Sequence, residues 1–208
     1  MSARLIRDPK AAASNFEAEG IVQRGTVSTG LAATAPRQDV AAWFAHADLS
    51  YAFAGGWKPW VSFDFDYATG DRPGGGYGRF DPIYGMRRAD LAPGAIQNLV
   101  LRSNLVSPGV RLEEVPSAKT DLRVSYRPFW QAAREDAFSS SGVRDALRRS
   151  DDFAGHQLDA RLRYALSKSI RLEADVVLIA KGRLLREAPN APPGRFTRYP
   201  SLNTTFLF

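Results

Sequence analysis

Apolar and polar residues alternate with a period of two over most of this chain. The segment VSFDFDY at 61–67 places its apolar residues at odd positions and Ser, Asp and Asp at even ones. The same alternation recurs in LRVSYRPFW at 122–130, LDARLRYAL at 158–166 and IRLEADVVL at 170–178. A helix does not give this pattern, whereas a β-strand with one apolar face does. The sequence therefore predicts an all-β fold built from two-faced strands.

The alternating segments define eight predicted strands. We place them at about 15–27, 38–53, 57–69, 100–115, 121–130, 156–166, 170–180 and 196–208. In the fourth of them, the sequence SPG shifts the alternation of apolar and polar residues. Pro108 predicts a bulge or a local kink at this point, because proline cannot donate a hydrogen bond to a neighbouring strand.

The connections between these strands alternate in length. Short connections lie at 54–56, 116–120 and 167–169, and long ones lie at about 28–37, 70–99, 131–155 and 181–195. Such alternation is typical of bacterial outer-membrane β-barrels, which have tight periplasmic turns and long outer loops. A β-sandwich can also have two loop lengths, but not in so regular an order. The pattern favours an antiparallel transmembrane β-barrel.

Large aromatic residues lie towards both ends of the predicted strands, as expected if the apolar faces contact lipid. Near the long loops they are Trp43, Tyr67, Trp130 and Tyr199, and near the short turns they are Tyr51, Phe53, Trp57, Trp60, Tyr164, Phe206 and Phe208. The alternative, a soluble core, would favour large rings in the middle of strands. The terminal Phe208 resembles the signal that outer-membrane barrels present to their assembly machinery.

Composition narrows the possible functions further. The 208 residues include 28 Lys and Arg and 22 Asp and Glu, which gives a net charge of +6. The basic residues are too scattered to indicate a nucleic-acid surface. The absence of cysteine excludes a disulfide framework and thiolate metal sites. The chain has no run of 18 apolar residues, so the sequence predicts no membrane helix. Its first residues also lack the apolar segment of a signal peptide. Either the protein is cytosolic or its start is missing.

Several longer blocks of sequence resemble the alginate export family of outer-membrane β-barrel porins. They are TGDRPGGGYGRFDPIYGMRRADLAPG (69–94), NLVSPGVRLEEVPS (104–117), YRPFWQAAREDAFSSSGVRDA (126–146), FAGHQLDARLRY (153–164) and LIAKGRLLREAPNAP (178–192). The resemblance is firm over 69–208 and looser before it.

The resemblance implies a larger barrel of about 18 strands, of which this chain supplies only part. We therefore expect residues 1–208 to form one alginate-export-type barrel domain that lacks its N-terminal half. Eight strands alone would close only a narrow barrel filled by side chains. The resemblance also implies a bacterial outer-membrane location, with the signal peptide absent from this chain.

Arginines occupy many of the predicted inward positions. They are Arg111, Arg123, Arg127, Arg161, Arg163 and Arg171. The resemblance implies a lumen that conducts an acidic polysaccharide, and guanidinium groups can make weak, exchangeable contacts with uronate carboxylates. These arginines are therefore candidate residues of a substrate path.

A structural role for the same arginines is equally compatible with the sequence. The tight turn at 167–169 predicts a register that pairs Glu173 with Arg163 and Asp175 with Arg161, and the turn at 116–120 pairs Glu113 with Arg123. Such cross-strand pairs stabilise a sheet by about 0.2–1 kcal/mol each. Arg127 and Arg171 have no evident partner in this scheme and are the better candidates for the substrate path.

The long loops carry further charges. Arg87 and Arg88 are candidates for the pore mouth or for contacts with lipopolysaccharide phosphates, and solvated loop charge is the alternative. We expect the loop at 131–155 to fold over the mouth as a lid. The glycine-rich GGGYG of the loop at 70–99 lacks the Lys-Ser/Thr and the helix of a phosphate-binding loop.

No arrangement of residues indicates an enzyme. The only histidines, His46 and His156, have no second ligand at a metal spacing. Ser139–Ser141 lack a predicted base, and the paired Asp64 and Asp66 are also common in porin lumens. We predict no catalytic residues, no metal and no cofactor.

The sequence thus predicts a passive outer-membrane channel for an anionic, alginate-like polysaccharide. Its predicted partners are this polysaccharide, outer-membrane lipid and lipopolysaccharide, and the barrel assembly machinery through Phe208, but not nucleic acid. A general porin for small solutes and a non-conducting barrel that acts as an anchor, or a fragment, remain as alternatives.

Overall fold

A computed structural model of the protein describes residues 1–8, 10–82 and 100–208. Among these residues, the secondary structure is almost entirely β. The elements are β1 (Ser2–Arg7), β2 (Ala13–Ser28), β3 (Arg37–Ala52), β4 (Trp60–Ala68), β5 (Leu105–Ser117), β6 (Thr120–Trp130), β7 (Phe153–Ala165), β8 (Ile170–Lys181), α1 (Leu184–Glu187) and β9 (Phe196–Phe206). No helix in the described part of the chain is long and apolar enough to cross a membrane.

The strands form a single nine-stranded antiparallel sheet in which every strand pairs with its neighbours in sequence. The prediction of an all-β antiparallel fold is confirmed. A closed barrel is not observed, because β1 and β9 each pair with one strand only among the described residues. The sheet is open at these two edges.

The described residues contain one strand more than the eight that the sequence predicts. Strand β1 has the sequence SARLIR and pairs with β2 from Ser2↔Ile21 to Arg7↔Phe16. All six of its residues are exposed. The segment is short, and apolar residues follow one another in it, so period-two alternation does not reveal it.

The structure at Pro108 also differs from the predicted bulge or kink. Val106 pairs with Trp130 and Val110 with Tyr126, so the register of β5 and β6 is the same on both sides of the proline. This register places Pro108 across from Pro128, and the pairing is interrupted between them because neither proline has an N–H group. The register shift lies nearer the turn, between Glu114 and Ser117.

Short and long connections emerge from opposite ends of the sheet. The loop end carries the connections 29–36, 69–104, 131–152 and 182–195. The turn end carries 8–12, 53–59, 118–119 and 166–169. The alternation of connection lengths that the sequence predicts is therefore present in the fold.

The two faces of the sheet differ sharply in chemistry and exposure. On the apolar face, large hydrophobic side chains are exposed, such as Phe63, whose exposed fraction is 62%. On the polar face, charged and hydroxyl side chains are buried, such as Asp66 at 0% and Ser62 at 0%. A water-soluble protein normally buries the first kind of residue and exposes the second. The burial pattern is thus inverted.

Among the described residues, the apolar core lies at the loop end of the polar face. There the long connections fold back onto the ends of the strands. Its buried members include Phe44, Phe80, Leu105, Phe129, Phe138, Val143 and Leu184. The rings of Phe44 and Phe80 stack at 5.4 Å between centroids. This core anchors the loops against the strands. It also covers one side of the charged residues at the centre of the polar face.

Candidate functional site

The structure places all six arginines of the predicted substrate path on the polar face. Their strand positions alternate with those of exposed apolar residues in β5 to β8. They are Arg111, Arg123, Arg127, Arg161, Arg163 and Arg171. Arg87 and Arg88, the predicted mouth residues, lie outside the described residues.

Arg127 lies at the centre of this face, where it joins two carboxylates across an intervening strand. Its Nη2 donates to Asp64 and its Nη1 lies 3.3 Å from Asp66 Oδ2. The side chain of Arg127 is only 1% exposed, and those of Asp64 and Asp66 are 3% and 0% exposed. Arg127 therefore has two partners, contrary to the expectation that it has none. A buried arginine paired with two carboxylates is a fixed part of the sheet.

The bridge from β6 to β4 passes over β5 at Gly109. A Cβ atom at this position would lie 2.7 Å from Asp64 Oδ1 and 3.0 Å from Arg127 Cζ. Only a residue without a side chain leaves room for this ion pair. The SPG sequence that the sequence analysis associated with a kink thus makes space for a charged contact.

Asp66 is the common partner of a group that we call the central ion-pair cluster: His46, Asp64, Asp66, Arg102 and Arg127. Asp66 Oδ1 lies 2.9 Å from His46 Nδ1 and 3.2 Å from Arg102 Nε. The Arg102 guanidinium also lies over the ring of Phe44, 5.1 Å from its centroid. Arg102 therefore ties the connection before β5 to both the ionic and the apolar parts of this face.

A second buried carboxylate, Asp159, lies on the neighbouring strand β7. It accepts a hydrogen bond from Ser125 Oγ, and its Oδ1 lies 3.7 Å from Arg123 Nη2. Gln157 Nε2 also donates to Asp159, at 3.4 Å. Asp159 is not among the residues predicted for the site, although its alternation with Leu158 and Ala160 places it on the polar face.

The predicted cross-strand registers are confirmed, but the ion pairs follow them only in part. Arg163 pairs with Glu173 as predicted and bonds to it. Arg161 pairs in register with Asp175, yet its guanidinium bonds to Asp121 at 2.9 Å. Long arginine side chains reach diagonal neighbours as easily as direct ones, so register alone does not fix the partner.

The third predicted pair, Glu113 with Arg123, also has the predicted register but a different ion-pair partner. Glu113 lies opposite Arg123 in register. The Glu113 carboxylate, however, forms an ion pair with Arg111 on its own strand, at 3.2 Å. Arg111 also lies 3.6 Å from Asp48 on β3. Arg171, at the turn end of β8, is exposed.

A cavity opens on the polar face at the turn end. We call it the turn-end pocket, and its volume is about 240 Å³. Its lining residues are Ile6, Arg7, Asn15, Phe16, Glu17, His46, Asp48, Ser50, Trp60 and Arg111. Trp60 shares the even positions of β4 with Ser62, Asp64 and Asp66, and it therefore lies on the polar face. Its assignment to the lipid-facing aromatics was wrong, and the alternation in VSFDFDY already contained the signal.

The loop at 131–152 packs against the loop end of the polar face through the buried Phe138 and Val143. Arg79 holds it from the opposite side, donating to Asp136 Oδ2 and to the Ala137 carbonyl, each at 2.7 Å. Within the loop, hydrogen bonds from the Ser150 group, chiefly its backbone N–H, lower the pKa of Asp145 below its ordinary value. The loop is therefore a packed structure, held by its apolar residues, by Arg79 and by hydrogen bonds within the loop.

Aromatic residues cluster on the apolar face near the loop end. Trp43 and Tyr67 stack at 4.5 Å between ring centroids. His156 stacks on Tyr126, and its Nδ1 lies 2.7 Å from the tyrosine hydroxyl. His156 is therefore held on the apolar face by its hydrogen bond and stacking contact with Tyr126. Among the residues that the structure describes, no group of three or more His, Cys, Asp or Glu side chains is arranged so that it could hold a metal ion.

Comparison with known protein families identifies the family of this chain. The sequence model of the family described as alginate export matches residues 1–197. This chain is a member of the alginate export family. No curated protein matches it. The family is one of transport proteins and not of enzymes. The resemblance predicted from the sequence blocks at 69–192 is confirmed and extends over the first 68 residues.

Proposed function

We propose that this member of the alginate export family forms part of the wall of a bacterial outer-membrane channel, through which an anionic, alginate-like polysaccharide passes without covalent chemistry. Residues 1–208 are one domain of that wall. The apolar face contacts lipid, and the polar face borders the water-filled path. The inverted burial of the two faces carries this proposal.

Exposed apolar side chains support the assignment of the outer face. They occur on strands from β1 to β9, with examples in Leu5, Phe63, Val124, Leu158 and Leu202. A contiguous apolar face of this extent marks a membrane or protein contact surface. Aromatic pairs such as Trp43 and Tyr67 then lie at the level of lipid headgroups, as in other membrane barrels.

The open edges of the sheet require completion. Unpaired N–H and C=O groups of β1 and β9 would be costly in hydrocarbon, because no water reaches them there. The family's larger barrel of about 18 strands supplies the additional strands in this proposal. Phe208 is proposed as the contact with the barrel assembly machinery, and Arg87 and Arg88 as contacts with the polymer or with lipopolysaccharide.

The arginines of the polar face contribute unequally to the path. Arg127 is buried and paired, and so it shapes the wall. Arg163 is 39% exposed and Arg171 is exposed, so polymer carboxylates can reach them. Weak contacts at accessible arginines suit conduction, because the polymer must leave each site as well as enter it.

Planar-bilayer recording of the complete barrel that contains this chain tests the proposal. We expect an ionic current that alginate blocks reversibly and that a neutral dextran of the same length does not block. Arg171→Gln is expected to weaken the block by alginate about two- to fivefold. Lys168→Gln removes a charge in the neighbouring turn, outside the strands, and serves as the matched control that leaves the block unchanged.

A general porin for small solutes is the second candidate function. The observation in its favour is that Arg111, Arg123, Arg127 and Arg161 already have carboxylate partners, which lowers the positive charge available to a polyanion. A current that alginate and dextran affect equally supports this porin and overturns the polysaccharide channel. The absence of any current overturns both and favours a non-conducting barrel.

A further inference from the structure

We propose that the turn-end pocket is a binding site for one pyranose ring of the transported saccharide, with the Trp60 indole as its platform. This inference rests on the proposed function and adds a specific subsite to it. The sequence-based path consists of arginines alone, and neither the family match nor that path assigns a role to Trp60.

The position of Trp60 is the first argument. It is the only tryptophan among the described residues on the polar face of a strand, at an even position of β4 beside Ser62. Contact with lipid explains the aromatic rings on the apolar face, but it does not explain a half-buried indole among charged side chains. Aromatic rings in polar sites offer a flat apolar surface together with one polar group. The C–H faces of sugar rings are complementary to such a surface.

The indole nitrogen provides the second argument. Trp60 Nε1 is shielded from solvent, and no described residue accepts a hydrogen bond from it. A buried donor without an acceptor costs free energy, and buried tryptophan N–H groups usually have a partner. In the bound state a sugar hydroxyl or ring oxygen accepts this hydrogen bond, which requires the side chains that shield the nitrogen to shift.

The remaining lining supplies the polar groups that sugar recognition needs. Asp48 and Glu17 present carboxylate oxygens that accept from hydroxyl groups, and Arg111 presents guanidinium donors. Asp48 and Arg111 lie 3.6 Å apart, with side chains 15% and 18% exposed, so both reach the cavity. A guanidinium can also form a fork with the carboxylate of a uronic acid.

The size of the cavity limits the ligand. Its volume of about 240 Å³ is below the roughly 300–1,000 Å³ that is typical of pockets for drug-sized ligands. One sugar ring fits such a volume, whereas several rings of a chain do not. The site therefore holds one unit while the neighbouring units of the polymer extend along the polar face.

Equilibrium dialysis of the detergent-solubilised full chain with an alginate hexamer tests the site. Trp60→Phe keeps a ring and removes the donor, and we expect about fivefold weaker binding. Trp60→Leu removes both, and we expect binding weaker by about twentyfold or more. Trp57→Leu is the matched control, because Trp57 lies in the adjacent turn with 59% exposure and does not line the pocket. Circular dichroism of each variant checks that the sheet is retained.

The outcomes separate this inference from the proposed function. Hexamer binding that is unchanged in Trp60→Leu, or reduced equally in Trp57→Leu, overturns the site even if alginate still blocks the current. If the wild-type chain binds the hexamer through Trp60 but carries no current, the sugar site stands and the channel is overturned. Equally tight binding of maltohexaose, a neutral hexamer, supports the Trp60 platform but overturns a uronate contact at Arg111.

Discussion

The centre and the turn end of the polar face use the same residue types in different ways. In the central ion-pair cluster, the Arg127, Asp64 and Asp66 side chains are 1%, 3% and 0% exposed. At the turn end, the paired Arg163 and Glu173 side chains are 39% and 22% exposed. An ion pair without water is costly to break, whereas a solvated pair exchanges readily with other ligands. The centre is thus a structural support, and the turn end is available for binding.

The long loops explain the difference between these two regions. At the loop end, Phe44, Phe129 and Phe138 form an apolar core that covers one side of the central cluster. At the turn end, the connections are short, and the described residues form no comparable core. Charged residues close to the loops are therefore shielded, while those close to the turns remain in contact with water.

The largest effect is expected from Asp66→Ala. This change leaves Arg127 with only one of its two carboxylates and removes a carboxylate partner of His46 and of Arg102. Removing one member of a buried ion pair costs about 3–5 kcal/mol, because the remaining charge has lost its compensation. Urea unfolding of the protein in detergent micelles, followed by tryptophan fluorescence, measures this loss. A loss below about 1 kcal/mol would show that water reaches the cluster and that the two regions do not differ.

A smaller effect is expected from Gly109→Ala. The new methyl group would lie 2.7 Å from Asp64 Oδ1, so the bridge between Asp64 and Arg127 must shift. Crowding of this kind destabilises a packed site by about 1–3 kcal/mol. The matched control is Gly20→Ala on β2, where no atom lies within 4 Å of an added Cβ. The same urea unfolding experiment compares the two variants, and equal stabilities would contradict the proposed passage of the bridge over β5.

The smallest effect is expected from Glu173→Gln at the turn end. The change removes the negative charge opposite Arg163 but keeps a group that can accept a hydrogen bond. An exposed ion pair contributes about 0.2–1 kcal/mol, so the free energy of unfolding should change by no more than this. The block of current by alginate should become slightly stronger, because Arg163 loses a competing carboxylate. A loss of stability as large as that of Asp66→Ala would remove the distinction between the two regions.

Much of the fold follows from local sequence pattern. Alternation located eight of the nine strands, the order of short and long connections, and the face on which each arginine lies. It also gave the register across the tight turns, as the pairing of Arg163 with Glu173 shows. Each of these properties depends on residues that are close in sequence, because side chains alternate along a strand and a short turn fixes the pairing of its two arms.

The sequence was less informative about β1 and about the partners of the candidate site. Strand β1 has no alternating pattern and is recognised only by its pairing with β2. Trp60 was assigned to the wrong face because its position near a turn was given more weight than its parity. Arg102 could not be selected at all, since it lies in a connection whose path depends on the packing of Phe44 beneath it.

The alternation of apolar and polar residues is enough to predict two-faced antiparallel strands and the residues that share a face, because side-chain direction alternates locally along each strand. Which charged side chains are paired and shielded from water depends instead on contacts between strands and loops that are distant in sequence. Arg127 and Asp64 are 63 residues apart in sequence and are separated in the sheet by β5. They meet because Gly109 leaves space between them and the packed loops exclude water from one side. Neither condition can be derived from the pattern of a single strand.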